Sequence, residues 1–452
     1  MPMMRVELGY GRGTTPFEFD EGRFVALEGA GEEGEPLSDA QLGVLIDDPY
    51  DSPPLEDILS PGESVLIVVS DATRATGSGQ VVNLLTRRLV QLGVSARDLR
   101  VIFATGIHRP VTAAERAELL TPFVAQRVRA LDHDARDERA CVDLGTTERG
   151  TPVLLNRALF DHSHVVLTGA INFHYFAGFT GGRKSVCPGL AHARTVEATH
   201  LLALDFERGG RRAGVGPGRL DGNAVHEECE RVAAEVAPSF VVNTVVDGQG
   251  RVVRAYAGDW RAAHRRACAE YAGEHTARVP GRRPLVVVSA GGAPYDLNLI
   301  QAHKALELAS YACEEGGDIV LVAACDEGPG RADFLKWFDA ADSRALEARL
   351  RDAYEVNGQT AWSLLTKAER FRVHLVSQLP DEDVRRMRMR PARTVAEAVS
   401  AAIAGAGARS EGYLIARGAT CMPVVIGGAD DTGDTDDAGD ADKASEPDEP
   451  VH

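Results

Sequence analysis

The stretch that decides the fold is Glu63–Gly93, ESVLIVVSDATRATGSGQVVNLLTRRLVQLG. Val65 to Val69 form an unbroken apolar, β-branched run that is too short for a helix, which predicts a buried strand. Polar and glycine-rich residues follow from Ser70 to Gly79, and from Gln80 the apolar positions return at helical spacing. Strand, polar loop and amphipathic helix make the repeating unit of a parallel or mixed sheet covered on both faces. VIFATG (Val101–Gly106) then precedes TAAERAELL, HVVLTG (His164–Gly169) is a third strand and VVNTVVD (Val241–Asp247) a fourth. A helix from about Trp260 to Ala277 leads into VPGRRP, where a second series begins: LVVVSAGG from Leu285, DIVLVAAC from Asp318, FRVHLVS from Phe371 and GYLIARG from Gly412. The class is α/β, with two α/β domains at 1–280 and 281–428 and a tail, 429–452, expected to be disordered.

Composition narrows the partners. Of 452 residues, 49 are basic and 67 acidic, a net charge of −18, which argues against nucleic acid or an anionic membrane. Asp430–His452 supplies ten acidic residues against Lys443, so half of that charge lies in the tail. No apolar run approaches the roughly 20 residues of a membrane helix. The opening MPMMRVELGYGRG has no apolar stretch to act as a signal peptide. The seven cysteines are scattered and never in a CxxC pair, so neither a disulfide framework nor a zinc cluster is expected, and the cytoplasm is the expected compartment. Only five residues are lysines, and two of them, Lys184 and Lys304, fall among the polar loops.

In doubly wound sheets the ligand lies beyond the carboxyl ends of the strands. Four unusual loops sit at such ends: Ser70–Gly79, Thr105–Pro110, GAINFHYFAGFTGGRKSVCPGL (Gly169–Leu190) and AGGAPYDLNLIQAHKA. Taken singly they are ordinary: Asp71 and Thr73 could cap a helix, His108 could be structural, and Gln301 and Lys304 merely share a helix face. Taken together they are not. Gly169–Gly189 is long, glycine-dense and without evident secondary structure, the mark of a functional loop. His192 and His200 lie eight residues apart on an expected helix. Arg74 and Lys304 suit a carboxylate or phosphate, histidines move protons near neutral pH, and glycines admit a bulky cofactor. The residues alone thus point to an anionic small-molecule site. A zinc hydrolase built on His174, His192 or His200, a Schiff-base enzyme using Lys184, and a non-catalytic cofactor-binding protein remain open, although HExxH is absent.

SDATR, TGIHRP, the block from Gly169 that runs on to His200, and the Gln301/Lys304 helix resemble the nickel-dependent lactate racemase family over roughly Gly9–Gly427. The resemblance implies an interdomain cleft holding a nickel-pincer nucleotide, a pyridinium mononucleotide with two sulfur-bearing arms made by separate biosynthesis enzymes. It implies His200 as the protein's nickel ligand and Lys184 as the point of covalent attachment. It implies racemisation or epimerisation of a 2-hydroxy acid by hydride transfer, with His108 and His174 as paired acid–base groups. Arg74, Gln301 and Lys304 would orient the substrate, Asp71, Thr73 and Arg74 would contact the cofactor, and Trp362 would line the pocket. Two positions depart from the family pattern and are expected to border the substrate: Ala75 follows Arg74, and Ile300 precedes Gln301.

Overall fold

The computed structural model describes residues 3–29, 34–60, 62–355, 357–406 and 411–426. The acidic tail expected to be disordered lies outside the described residues.

The first sheet has six strands, in the order Val252–Gly258, Phe240–Val246, His164–Ala170, Val65–Ser70, Leu99–Ala104 and Arg129–Asp132. All but the first run parallel, and Val252–Gly258 closes one edge antiparallel. Val65 to Val69 are fully buried, and their alternation explains why the run is apolar throughout. Val65, Ile67 and Val69 meet Val81, Leu85 and Leu89 of the helix Ser78–Gln91 on one face. Leu66 and Val68 share the opposite core with Val196, Val225 and Ala267 of three further helices. Each fully buried side chain of this size contributes about 1.5–3 kcal/mol.

The second sheet is parallel throughout, in the order Arg390–Ala392, Arg372–Val376, Cys313–Val322, Arg283–Ser289, Gly412–Ile415 and Phe24–Leu27. The expected two-domain α/β architecture and all eight strands read from the sequence are present. The expected domain limits need adjusting at both ends. Phe24–Leu27 is the outer strand of the second sheet, and the hairpin Met3–Tyr10/Gly13–Asp20 packs Leu8, Phe17 and Phe19 on the same core. Thr276–Val279 pairs with Met422–Val425, so the second domain already begins before Pro280. An edge strand needs only one partner and one covered face, which leaves a pattern too weak to assign from sequence.

The segment from Gly169 to Gly189 is more ordered than expected. Phe173–His174 pairs with Gly178–Phe179, and a short helix spans Arg183–Val186. Gly178 has φ of +73°, and a Cβ there would stand 1.9 Å from the Arg219 carbonyl oxygen, so only glycine makes this turn.

A buried ionic cluster joins the domains. Arg211, after the first domain's helix Ala193–Leu201, lies 2.7 Å from Glu307 on the second domain's helix Leu299–Ala309. Lys367 Nζ and Ser363 Oγ donate to the same carboxylate at 2.5 and 2.9 Å. Burial alone would raise the Glu307 carboxyl, but the two cations outweigh it and hold it down at about 2. Replacing Glu307 with Leu leaves Lys367 buried and unpaired and Arg211, half-buried, with only the Tyr311 hydroxyl among the described residues. Chemical denaturation should then show a loss of about 3–5 kcal/mol.

Candidate active site

A cavity of about 1050 Å³ opens between the domains at the carboxyl ends of the first sheet's strands. All four unusual loops reach it. Asp71, Thr73, Arg74, His108, His174, Lys184, His200, Gln301 and Lys304 all line it.

Asp71 follows the end of Val65–Ser70 and is buried. Its Oδ2 lies 2.7 Å from His108 Nδ1, and its Oδ1 accepts from the Thr73 amide and hydroxyl at 3.0 and 2.5 Å. Burial would raise this carboxyl, yet the His108 contact, Thr73 and Arg74 bring it below the usual carboxylate range. A charged carboxylate only accepts, so His108 Nδ1 carries the hydrogen and a neutral ring offers its lone pair at Nε2. With both oxygens engaged inside the chain, Asp71 orients His108. The sequence placed these two residues in neighbouring loops but could not show that they touch.

His174 has the opposite arrangement. Its Nδ1 accepts from the backbone N–H groups of Ala177 and Phe176 at 3.2 and 3.5 Å, so the neutral ring carries its hydrogen on Nε2. Burial, followed by Lys184, Arg74, Lys304 and His200, holds its pKa well below the usual histidine value. The ring stacks on Tyr175 at 5.2 Å.

His200 occupies the last turn of Ala193–Leu201. Its Nδ1 donates to the Val196 carbonyl at 2.7 Å, which leaves the Nε2 lone pair for a metal. Burial and then the Lys184 charge bring its pKa down to about 3, so the ring stays neutral. Lys184 is partly exposed to the cavity; burial, then Arg74, holds its ammonium far below the usual lysine value, favouring a nucleophilic amine. Among the described residues, no three His, Cys, Asp or Glu side chains are grouped to hold a metal ion. His200 is thus a single neutral nitrogen donor on this wall of the cavity.

On the second domain, Lys304 Nζ donates to Gln301 Oε1 at 2.9 Å, and burial followed by Arg74 lowers the ammonium to about 7. Arg74 has no carboxylate partner among the described residues. The cavity thus presents cations awaiting an anion.

Three expectations are corrected. Trp362 does not line the cavity: its indole N–H donates to Glu347 at 2.8 Å inside the second domain's core, because a buried indole needs an acceptor. Ile300, one helical step from Gln301, turns into the same core and does not border the substrate space. His192 caps the start of the helix whose last turn holds His200, about 12 Å away along the axis, and lies outside the cavity. Unforeseen lining residues include Tyr354, Gln359 and Thr360, and Tyr175 of the expected functional loop lines it too. Ala75 does line the cavity, as expected.

Residues 10–210 match the lactate racemase N-terminal domain family and residues 281–423 the lactate racemase C-terminal domain family. The chain belongs to the lactate racemase family. It is an isomerase of the racemase type. It is 28% identical to the lactate racemase of Thermoanaerobacterium thermosaccharolyticum over 88% of this chain and 94% of that protein. It is likewise 28% identical to the Lactiplantibacillus plantarum lactate racemase, over 92% of this chain and 99% of that protein. The structure of the lactate racemase apoprotein from T. thermosaccharolyticum superposes with a TM-score of 0.85 at 25% identity, covering 93% of this chain and all of that one. A Thermotoga maritima protein shares the fold, with a TM-score of 0.63 at 19% identity over 87% of this chain and all of that one.

Within this racemase the Asp71–His108 contact is open to test. Asp71→Asn should lower turnover about 10²-fold or more and alter the His108 ring-nitrogen NMR signals while the fold is kept. Unchanged turnover would mean that Asp71 does not hold the working tautomer.

Proposed function

We propose that the chain interconverts the two hands of a 2-hydroxy acid, the class to which the lactate of its relatives belongs, with a nickel-pincer nucleotide held at Lys184 and His200. The observation that carries this reading is the pair His108 and His174, which line one cavity in opposite tautomers beside Arg74 and Lys304. Arg74 and Lys304 bind the substrate carboxylate, with Gln301 steadying the lysine. His108 Nε2 takes the proton of the α-hydroxyl, and Asp71 steadies the imidazolium that results. When bound, the nucleotide supplies the acceptor for the α-hydrogen, taken as hydride. His174 donates an Nε2–H hydrogen bond to the substrate oxygen on the other flank, and the proton held by His108 returns to that oxygen as the hydride is given back, so both rings end as they began. One ring that takes and returns the proton, faced by another that holds the oxygen through a hydrogen bond, keeps the proton count balanced through a single inversion. His200 Nε2 holds the metal, the Lys184 amine is the site of attachment, and the cofactor-making enzymes are the implied partners.

Co-expression with those enzymes provides the test. Loaded protein should carry nickel and added mass at Lys184, and should racemise a single-enantiomer 2-hydroxy acid in heavy water with its α-hydrogen retained. His200→Ala should release the metal, whereas His108→Gln and His174→Gln should keep it and lose turnover. Solvent deuterium at the stereocentre, or full activity in both latter variants, would overturn the reading.

Lys304 adds a pH dependence. Its ammonium is present below about pH 7 and lost above it, so KM should rise as pH climbs through that value. Lys304→Met should flatten this rise and increase KM about 10–100-fold at low pH, the worth of a hydrogen bond to a charged group.

A further inference from the structure

Two neighbouring rings hold His174. Tyr175 stacks on it at 5.2 Å with 14° between the planes, and Phe176 meets it in a T at 4.5 Å and 81°. Phe176 is fixed within the first domain: it is buried, its carbonyl accepts from Asn223 Nδ2 at 3.0 Å, and its ring faces His200 at 5.0 Å. Tyr175 is fixed from the second. Its hydroxyl lies 3.2 Å from Thr360 Oγ1 on the helix Gly358–Arg370, and its ring makes a T with His303, on the helix Leu299–Ala309, at 4.8 Å. The N–H groups of Ala177 and Phe176 set the His174 tautomer, but at 3.2 and 3.5 Å they are long contacts that hold the ring plane weakly. The Tyr175 face supplies what those contacts lack.

We propose that Tyr175 is a positioning residue for His174 and that Thr360 is its anchor on the opposite domain. The proposal rests on the racemase reading for its effect on turnover and adds a residue pair to it. A phenol tied at its hydroxyl cannot swing its ring aside without breaking the bond to Thr360. The imidazole stacked on that ring then keeps its plane, and with it the direction of Nε2–H. Groups that handle a reacting atom must be held to within roughly 10–20° of the productive geometry, which a loosely held ring does not meet. Because the anchor stands on the other domain, His174 is aimed only where the two domains meet, although its own hydrogen bonds all lie within the first.

Tyr175→Phe, Thr360→Val, the double variant and Thr360→Ser test this in two ways. In cofactor-loaded protein of matched nickel content, each of the first two should lose about 3- to 10-fold in kcat on a single-enantiomer 2-hydroxy acid, the range set by one hydrogen bond. KM should move less than about twofold, because Arg74 and Lys304 are untouched. The double variant should be no slower than the slower single one, since the pair acts as a unit. Thr360→Ser keeps the hydroxyl and should keep turnover. In the full chain without cofactor, the ¹⁵N signals of the His174 ring should report a bare Nδ1 and a protonated Nε2. In Thr360→Val they should move towards an average of the two tautomers while those of His108 stay. Unmoved His174 signals in Thr360→Val overturn the proposal. So do losses that multiply in the double variant, a change confined to KM, or a loss in Thr360→Ser as large as in Thr360→Val. Should Tyr175→Phe fail to fold, the two Thr360 variants decide alone. If loaded, unaltered protein turns over no 2-hydroxy acid, the racemase reading fails and the ring signals judge the pair separately. Signals moved in Thr360→Val and kept in Thr360→Ser support it; the same signals in both overturn it.

Discussion

The site depends on the carboxylate of Glu307, shared by Arg211 from one domain and Lys367 from its own. Neither sheet alone forms the cavity. His108, His174, Lys184 and His200 belong to the first domain, and Gln301, Lys304 and Gln359 to the second. Glu307 lies on the same helix as Gln301 and Lys304, one turn beyond the lysine, so the ionic cluster that closes the domain junction also sets where Lys304 stands. Such a group is costly to desolvate and tolerable only because both cations are in place. Its placement serves registration between the domains more than net stability.

Within that junction the electrostatics are lopsided. Arg74, Lys184 and Lys304 crowd a poorly solvated space in which the buried carboxylate Asp71 is already committed to His108 and Thr73. Mutual repulsion and burial lower the two lysines and keep His174 and His200 uncharged. Crowding of like charge of this kind favours an anion over a cation in the space between Arg74, Lys184 and Lys304. The same arrangement keeps the His200 ring neutral and holds the Lys184 ammonium well below its usual range.

Much of this was legible in the sequence. Central parallel strands such as Val65–Ser70 are buried on both faces and so announce themselves as apolar runs, and the polar loops after them fall where a ligand must bind. The outer strands were not legible, because Phe24–Leu27 and Val252–Gly258 carry only half of that signal. The loop residues that touch the ligand space were readable where a motif was dense, as around His174 and Lys184. Tyr175 was visible as a letter, but its contact with Thr360, 185 residues away, was not. Trp362 misled for a related reason: its indole N–H is satisfied by Glu347 within the second domain's core, a pairing 15 residues apart in the chain that the letters alone do not show. Sequence shows which residues are unusual; only the fold shows which of them lack partners.

The hairpin and outer strand contributed by residues 3–27 carry one further consequence. Because residues 3–27 belong to the second domain and the chain then passes through the first and returns, two covalent crossings connect the bodies. A single crossing would allow one body to swivel freely about the other. A paired crossing restricts the rotation of one body relative to the other more tightly than a single one does, and so helps to keep the opposing walls of the cavity facing each other.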